Sequence, residues 1–277
     1  MSGRPIAYVM EQTLGSVTHY LNLRREEAAF GGPGPRWIPV EFRGGLLPWT
    51  LTGSWMARRA LDRVLSEVDG IFMHTTTIAP LCVNHFQKKP AIVSTDATPW
   101  NRRGMREAYG LRQEGPLYSR AKRELLRNAL RAAAGLVGWS EWAKASFVED
   151  YGCSEQDVVV IPPGVDLTRF APGNRNRGLP RILFVGGDFA RKGGHVLLDV
   201  FRRRLRGRAQ LVLVTHASVA SEPGIEVHRN VQANSPELQA LYATSDLFVL
   251  PTLADCYSIV AMEALAAGLP VVVTRVG

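Results

Sequence analysis

The sequence predicts an α/β protein made of two parallel-sheet domains. Three observations carry that expectation. Short β-type runs alternate with helical stretches along the whole chain. The helical stretches are long enough for right-handed crossovers between parallel strands. A polar, breaker-rich stretch at 171–180 (Ala-Pro-Gly-Asn-Arg-Asn-Arg-Gly-Leu-Pro) divides the series in two, as an inter-domain linker does.

In the first series, strands are expected at 6–10, 37–42, 70–74, 91–95, 135–140 and 158–161. Helices are expected at 16–29, 51–68, 117–134 and 143–151. In the second series, strands are expected at 182–185, 210–215, 225–228, 246–250 and 271–274, with helices at 195–205, 236–244 and 258–267. Gly268 and Pro270 end the last helix in the usual order. The domains are therefore 1–170, a linker at 171–180, and 181–277. The chain stops just after a strand, and a parallel sheet needs helices on both faces. The second domain is expected to be incomplete, its chain shortened at the C-terminus.

Bulk properties narrow the function classes. Hydrophobic residues make up 46% of the chain and charged ones 21%, which excludes a disordered polymer. No apolar run approaches a membrane span, and the run after the N-terminus is too short for a signal-peptide core. Cys82, Cys153 and Cys256 are far apart and suggest neither a metal nor a disulfide framework. Buried thiols in a reducing cytoplasm fit them. The net charge is +8, nearly all of the positive charge from Arg. Two readings of the basic stretches at 102–103, 120–131 and 202–208 stay open: solvated helix faces, or a peripheral contact with anionic membrane or a phosphorylated acceptor. No nucleic-acid partner is expected.

Two constellations carry chemistry. The first runs over 251–268, P-T-L-A-D-C-Y-S-I-V-A-M-E-A-L-A-A-G: strand end, loop, helix and cap. Loops at the carboxyl ends of parallel strands are where open α/β sheets bind ligands. Ser258 is a candidate N-cap, and the helix start suits a phosphate. Asp255 and Glu263 can bracket a sugar and a ribose through their hydroxyls. Glu263 stands among Ile259, Val260, Met262, Ala264 and Leu265, so its carboxylate needs a specific partner. The second constellation is F-V-G-G-D-F-A-R-K-G-G, 184–194. Gly186 and Gly187 permit a tight turn. Arg191 and Lys192 precede a helix, where two cations oppose its dipole unless an anion sits between them. A diphosphate fits; a solvated turn is the alternative. The Walker spacing is absent.

These motifs resemble those of retaining family-4 glycosyltransferases with the GT-B fold. The family's Glu-x7-Glu pattern is matched by Asp255 and Glu263, followed by Ala264-Leu265-Ala266-Ala267-Gly268-Leu269-Pro270-Val271-Val272. Its diphosphate-holding Arg/Lys pair is matched by Arg191 and Lys192. Ile161-Pro162-Pro163-Gly164-Val165-Asp166 is similar to its P-x-G-V-D phrase, and Ser140-Glu141 to an earlier S-E step. The resemblance implies two Rossmann-like domains facing across a cleft. It also implies transfer of a sugar from a nucleoside-diphosphate sugar to an acceptor hydroxyl with retention, without a metal or other cofactor. The acceptor would be a sugar, a lipid-linked molecule or another small molecule. By the same resemblance the donor site gathers Gly15, Gly187, Arg191, Lys192, Asp255, Cys256, Tyr257, Ser258, Ile259 and Glu263. Asp96, Arg191, Lys192 and Asp255 would be catalytic, and Glu11, His19 and His74 would approach the acceptor.

Two positions depart from the pattern. Asp255 is shorter than the usual Glu by roughly 1.5 Å, so the sugar must sit closer. Asp96, in Ser94-Thr95-Asp96-Ala97, stands where family members often carry a His near the anomeric carbon. It either supports a cation-like centre or acceptor, or caps a loop. Two other functions fit the same residues. One is a sugar-nucleotide epimerase, which needs further acid/base groups. The other is a shortened, non-catalytic remnant that binds nucleotide-sugar.

Overall fold

The computed structural model describes residues 3–13, 15–29, 33–41, 48–111, 113–175 and 178–277. The chain forms two compact units. The first comprises Met1–Gly104 and Arg112–Gly164, the second Met105–Leu111 and Val165–Gly277.

In the first unit the order is β1 (Ile6–Glu11), α1 (Gly15–Arg25), β2 (Arg36–Val40), α2 (Trp49–Val64), β3 (Gly70–His74), α3 (Val83–Lys88), β4 (Ala91–Thr95), α4 (Pro116–Ala132), β5 (Gly135–Gly138), α5 (Glu141–Glu149) and β6 (Val158–Val160). The strands form one parallel sheet in the order β2-β1-β3-β4-β5-β6. Ala7, Val9, Met73 and Val93 from the strands meet Ala57, Leu61 and Phe147 from the helices in its core. Ser140 caps α5, its hydroxyl accepting from the Ala143 N–H at 3.2 Å. That gives the Ser140-Glu141 step a local reason.

In the second unit the order is β7 (Arg181–Val185), α6 (Gly194–Val200), β8 (Gln210–Val214), β9 (Ile225–His228), α7 (Pro236–Ala243), β10 (Leu247–Leu250), α8 (Ile259–Ala266) and β11 (Val271–Val273). Its parallel sheet runs β11-β10-β7-β8-β9. The central strands read as continuous apolar runs because both faces are covered. Leu183, Phe184, Leu211, Leu213, Phe248 and Leu250 are fully buried. Each such side chain contributes about 1.5–3 kcal/mol of burial.

Every predicted strand is present, with ends moved by a residue or two; Phe42 lies outside the described residues. The helix expected at 16–29 tightens into a 3-10 turn after Arg25. The one expected at 195–205 leaves α geometry at Val200 and finishes in a wider turn, with the Arg206 N–H bonded to Phe201 O at 3.0 Å. α3 was not expected: six residues are too few to display a helical period. The units divide after Gly164 rather than at a linker over 171–180. Phe170 is buried in the second core, and Arg175 donates to Gly268 O. The described part of that stretch is therefore fastened to the second unit; residues 176 and 177 lie outside the described residues.

Gly193 sets the start of α6. Its φ is +74°, and a Cβ placed there would sit 1.8 Å from the Pro251 carbonyl oxygen. The turn after β7 thus lies directly on the end of β10. Gly193→Ala should cost the second unit at least about 2 kcal/mol, from the left-handed backbone and the clash. All six tryptophans lie between Trp37 and Trp142, in the first unit. The expected result is a lower far-UV circular dichroism transition for the second unit with an unchanged tryptophan-fluorescence transition for the first. Equal melts for variant and parent would show that Gly193 is dispensable.

Candidate functional site

Strand order alone marks one position in each sheet. A ligand site in an open parallel sheet lies beyond the strand ends where the order reverses. In the second unit the chain builds β7, β8 and β9 in one direction, then β10 and β11 on the other side of β7. The reversal lies between β7 and β10. Arg191 and Lys192 follow β7, and Asp255 follows β10, so sequence-distant residues converge there.

The contacts are direct. Lys192 Nζ donates to Asp255 Oδ2 at 2.5 Å, with side chains 14% and 12% exposed. An ion pair this dry is costly to break on one side only, since the remaining charge stays buried. Arg191 Nε donates to Asp188 Oδ2 at 3.1 Å, and Nη1 to the Ala254 carbonyl at 2.9 Å. Its own carbonyl accepts from the Leu253 N–H at 2.8 Å. The anions facing these two cations are thus protein carboxylates, Asp188 and Asp255. Among the described residues none bonds Arg191 Nη2.

Around this pair lie the other expected donor residues. Gly187 stands close to His216: a Cβ there would meet the imidazole at 3.0 Å. Cys256 is buried, and its thiol contacts the Tyr109 hydroxyl at 3.4 Å. Tyr257 is half-buried. Ser258 holds the N-cap position of α8, but its side chain makes no capping bond. Its Oγ is buried and, among the described residues, has no hydrogen-bond partner, which is rare for a native hydroxyl. Ile259 is buried and so offers the site its backbone alone. In the first turn of α8 the Ala261 N–H bonds Ser258 O at 3.2 Å, while among the described residues the Ile259 and Val260 N–H groups have no acceptor.

Glu263 is 2% exposed, in the second turn of α8. The partner its apolar surroundings demanded is Tyr242 of α7, whose hydroxyl lies 3.0 Å from Oε2 and 3.0 Å from the Val260 carbonyl. Burial lifts the Glu263 carboxyl to about 7, and the Tyr242 bond offsets part of that rise. Burial and the facing carboxylate push the Tyr242 phenol well above its ordinary range. One hydroxyl proton faces two acceptors here. A protonated Glu263 would resolve this by donating to Tyr242 while Tyr242 donates to Val260.

The first unit has its own reversal, between β1 and β3. Glu11 ends β1 and His74 ends β3. Glu11 is buried and accepts from the Thr13 and Thr75 hydroxyls, one on each oxygen. His19, on α1, lies with its ring 4.8 Å from that of His74. Trp139, just past β5, stacks on His74 at 4.9 Å and 11° and meets the edge of His19 at 4.7 Å. Its indole N–H donates to Ser94 Oγ at 3.2 Å. Burial lowers His19 to about 4 and, with the neighbouring His19, holds His74 well below the ordinary histidine range. Both rings are neutral at neutral pH, and among the described residues His19 Nε2 and His74 Nδ1 have no partner. Asp96 follows β4 and is half-buried, with Thr95 Oγ1 3.4 Å away. Gly15 opens α1, and among the described residues nothing lies within 4 Å of a Cβ placed there.

The geometry adds residues that sequence reasoning missed. Asp188 lay inside the 184–194 motif, and its distance of three from Arg191 was a readable signal. Trp139 sat inside the strand predicted at 135–140, and the shorter β5 leaves it just beyond the strand end. Tyr109 and Tyr242 carried no signal, since only tertiary packing brings them to their partners. The basic stretches divide by use. Arg127 donates to Tyr151 O at 3.1 Å, and Arg123 to Asp150 O, so both fasten α4 to the end of α5. Arg202 and Arg203 are exposed and pair with Glu222 and Asp199. Among the described residues no cluster of three potential metal ligands occurs, and no helix is long and apolar enough to cross a membrane.

Two parallel-sheet units, each with its polar residues at a strand-order reversal, make up the GT-B architecture. The chain belongs to glycosyltransferase family 4: the model of that family matches residues 17–169, more than half of it, and the model of glycosyl transferases group 1 matches 179–277. It is 33% identical over 170 residues to a D-inositol 3-phosphate glycosyltransferase of Arthrobacter sp. (strain FB24), covering 52% of this chain and 40% of that protein. It is 30% identical over 165 residues to an MMP alpha-(1->4)-mannosyltransferase of Mycolicibacterium hassiacum, covering 56% and 40%. The matched part of the chain thus spans about two fifths of the length of these relatives. Among solved structures, Anabaena Alr3699/HepE in complex with UDP and glucose superposes with a TM-score of 0.67 at 14% identity, over 99% of this chain and 81% of that one. Sucrose-phosphate synthase from Thermosynechococcus elongatus gives 0.72 at 16% identity, over 99% and 82%.

The Glu263 carboxyl yields a pH prediction. Its folded value, about 7, lies above the ordinary 4.5. The group therefore stabilises the second unit fully below about pH 4.5, and that stability is lost as pH rises through about 7. Urea midpoints by circular dichroism should be higher at pH 5 than at pH 8, with a contribution on the order of a few kcal/mol. In Glu263→Gln this contribution should vanish. The same pH difference in both proteins would assign it to another group.

Proposed function

We propose that the second unit binds the diphosphate of a nucleoside-diphosphate sugar. The chain then transfers that sugar to an acceptor hydroxyl with retention of configuration. The observation that carries this reading is the Lys192–Asp255 pair across the β7/β10 reversal, beside the orphaned Ser258 hydroxyl at the start of α8.

The pair can exchange partners at little electrostatic cost. A diphosphate entering beside Lys192 replaces one anion with another, so the ammonium never stands alone in a dry site. Asp255, released, becomes an acceptor for the sugar hydroxyls. The shorter Asp suits this exchange, because the carboxylate already lies against the cation. Ser258 Oγ and the first N–H groups of α8 supply neutral donors to the phosphates. Arg191 keeps only its Nη2 edge for the diphosphate, so Lys192 carries the larger share. Tyr242 fixes one oxygen of Glu263, and the other is the group that would accept a ribose hydroxyl. As the glycosidic bond breaks, negative charge grows on the leaving diphosphate. Lys192 and the helix start stabilise it with dipoles already in place.

The first unit supplies the acceptor side. Glu11, neutral His19 and neutral His74, with Asp96 at the end of β4, offer hydrogen bonds. Such a set favours the hydroxyls of a sugar or other polyol over an anionic group. The named relatives are glycosyltransferases, and the Anabaena protein holds UDP-glucose in another structure. Uridine-diphosphate sugars are therefore the first donors to test.

Incubation with a panel of nucleoside-diphosphate sugars and polyol acceptors should give a glycoside, and its anomeric proton coupling by NMR should match that of the donor. Lys192→Ala should lower kcat/KM by about a hundredfold or more. Product of inverted configuration would refute retention. A normal rate in Lys192→Ala would remove the diphosphate role.

A further inference from the structure

The first stretch of the chain lends seven residues to the second unit. After Gly104 it leaves the first unit, contributes Met105–Leu111 to the second, and returns. The excursion is a self-closed turn: the Tyr109 N–H bonds Met105 O at 3.2 Å, Gly110 bonds Glu107 O at 2.9 Å and Leu111 bonds Arg106 O at 2.9 Å. It places one aromatic side chain on the candidate donor site. The Arg191 guanidinium lies over the Tyr109 ring, 4.7 Å from its centroid, and the Tyr109 hydroxyl contacts Cys256 Sγ at 3.4 Å. Cys256 is the neighbour of Asp255.

Arg191 spans the two loops that form the site. It is anchored to Asp188 in the turn after β7, and it grips the backbone at Ala254 and Leu253 in the loop after β10. Tyr109 closes over this bridge, with its face on the guanidinium and its hydroxyl on the loop. We propose that Tyr109 and Arg191 form a clasp that sets the Asp255 loop opposite Lys192, with Tyr109 a positioning residue acting through Arg191. The inference rests on the donor reading above. Burial keeps the Tyr109 phenol protonated through the neutral range, so the clasp holds a neutral ring against the cation. A desolvated guanidinium on an aromatic face is the stronger form of this contact. The clasp also explains why a buried arginine stands beside the lysine: Lys has neither the flat face nor the fork to make these three contacts.

The test is calorimetric titration of the full chain with UDP, GDP and ADP separately, using the one that binds most tightly. Each variant is first checked for a cooperative melt. Tyr109→Leu should weaken binding about tenfold, and Tyr109→Phe, which keeps the ring, should stay within about threefold. Arg191→Lys keeps the charge but loses the clasp, so it should weaken binding about as much as Arg191→Met. In the Arg191→Met background Tyr109→Leu should add less than about twofold, because its partner is gone. If Tyr109→Leu does not fold, the Arg191→Lys and Tyr109→Phe results decide alone. Wild-type affinity in Arg191→Lys, or losses that multiply in the double variant, would overturn the clasp and leave the donor reading standing. Failure of all three nucleotides to bind the wild-type chain would overturn the donor reading and the clasp with it.

Discussion

The ion pair between Lys192 and Asp255 depends on nearly everything else in the second unit. These residues are 63 positions apart, and each side chain is almost dry. Bringing them to hydrogen-bond distance needs β7 and β10 side by side, with the same polarity. It also needs the turn after β7 to lie on the end of β10, and only a glycine at 193 permits that approach. The apolar strands pay the entropic cost of this arrangement; the pair then fixes the spacing of a site whose ligand must replace one of its charges.

Much of this was legible in the sequence because it follows from local rules. The strands of both units are short apolar runs, and their ends coincide with changes of composition. Arg191, Lys192 and Asp255 could be placed at strand ends by counting. Their gathering in one site was what the family resemblance implied. The buried carboxylate of Glu263 announced a partner, since an unpaired charge in an apolar helix is too costly.

The rest depended on packing that no periodic pattern encodes. Tyr242 lies 21 residues from Glu263, on another helix, and nothing in its neighbourhood of sequence marks it. Arg191 was expected to face an anionic ligand, yet two of its three side-chain nitrogens are bonded to Asp188 and a backbone carbonyl. A motif records which residue types occur together. It does not record which of their hydrogen-bonding atoms remain unused. In the first unit the sequence pointed to Glu11, His19 and His74, but not to Trp139, whose ring stacks on His74 and meets His19 edge-on. α3 escaped notice because its six residues show no repeat.

The excursion at Met105–Leu111 makes the units interwoven rather than sequential. A polypeptide emerging from the ribosome presents this turn well before the strands it will rest on. Until β7 and β10 have been made, Tyr109 has no cation to cover. A gene cut after Gly164 would divide one unit between two polypeptides: the downstream half would carry the sheet and its charged loops, and the upstream half their aromatic cover. Separately produced halves would then have a structural reason to reassociate, and the downstream half alone would lack one wall of its charged site.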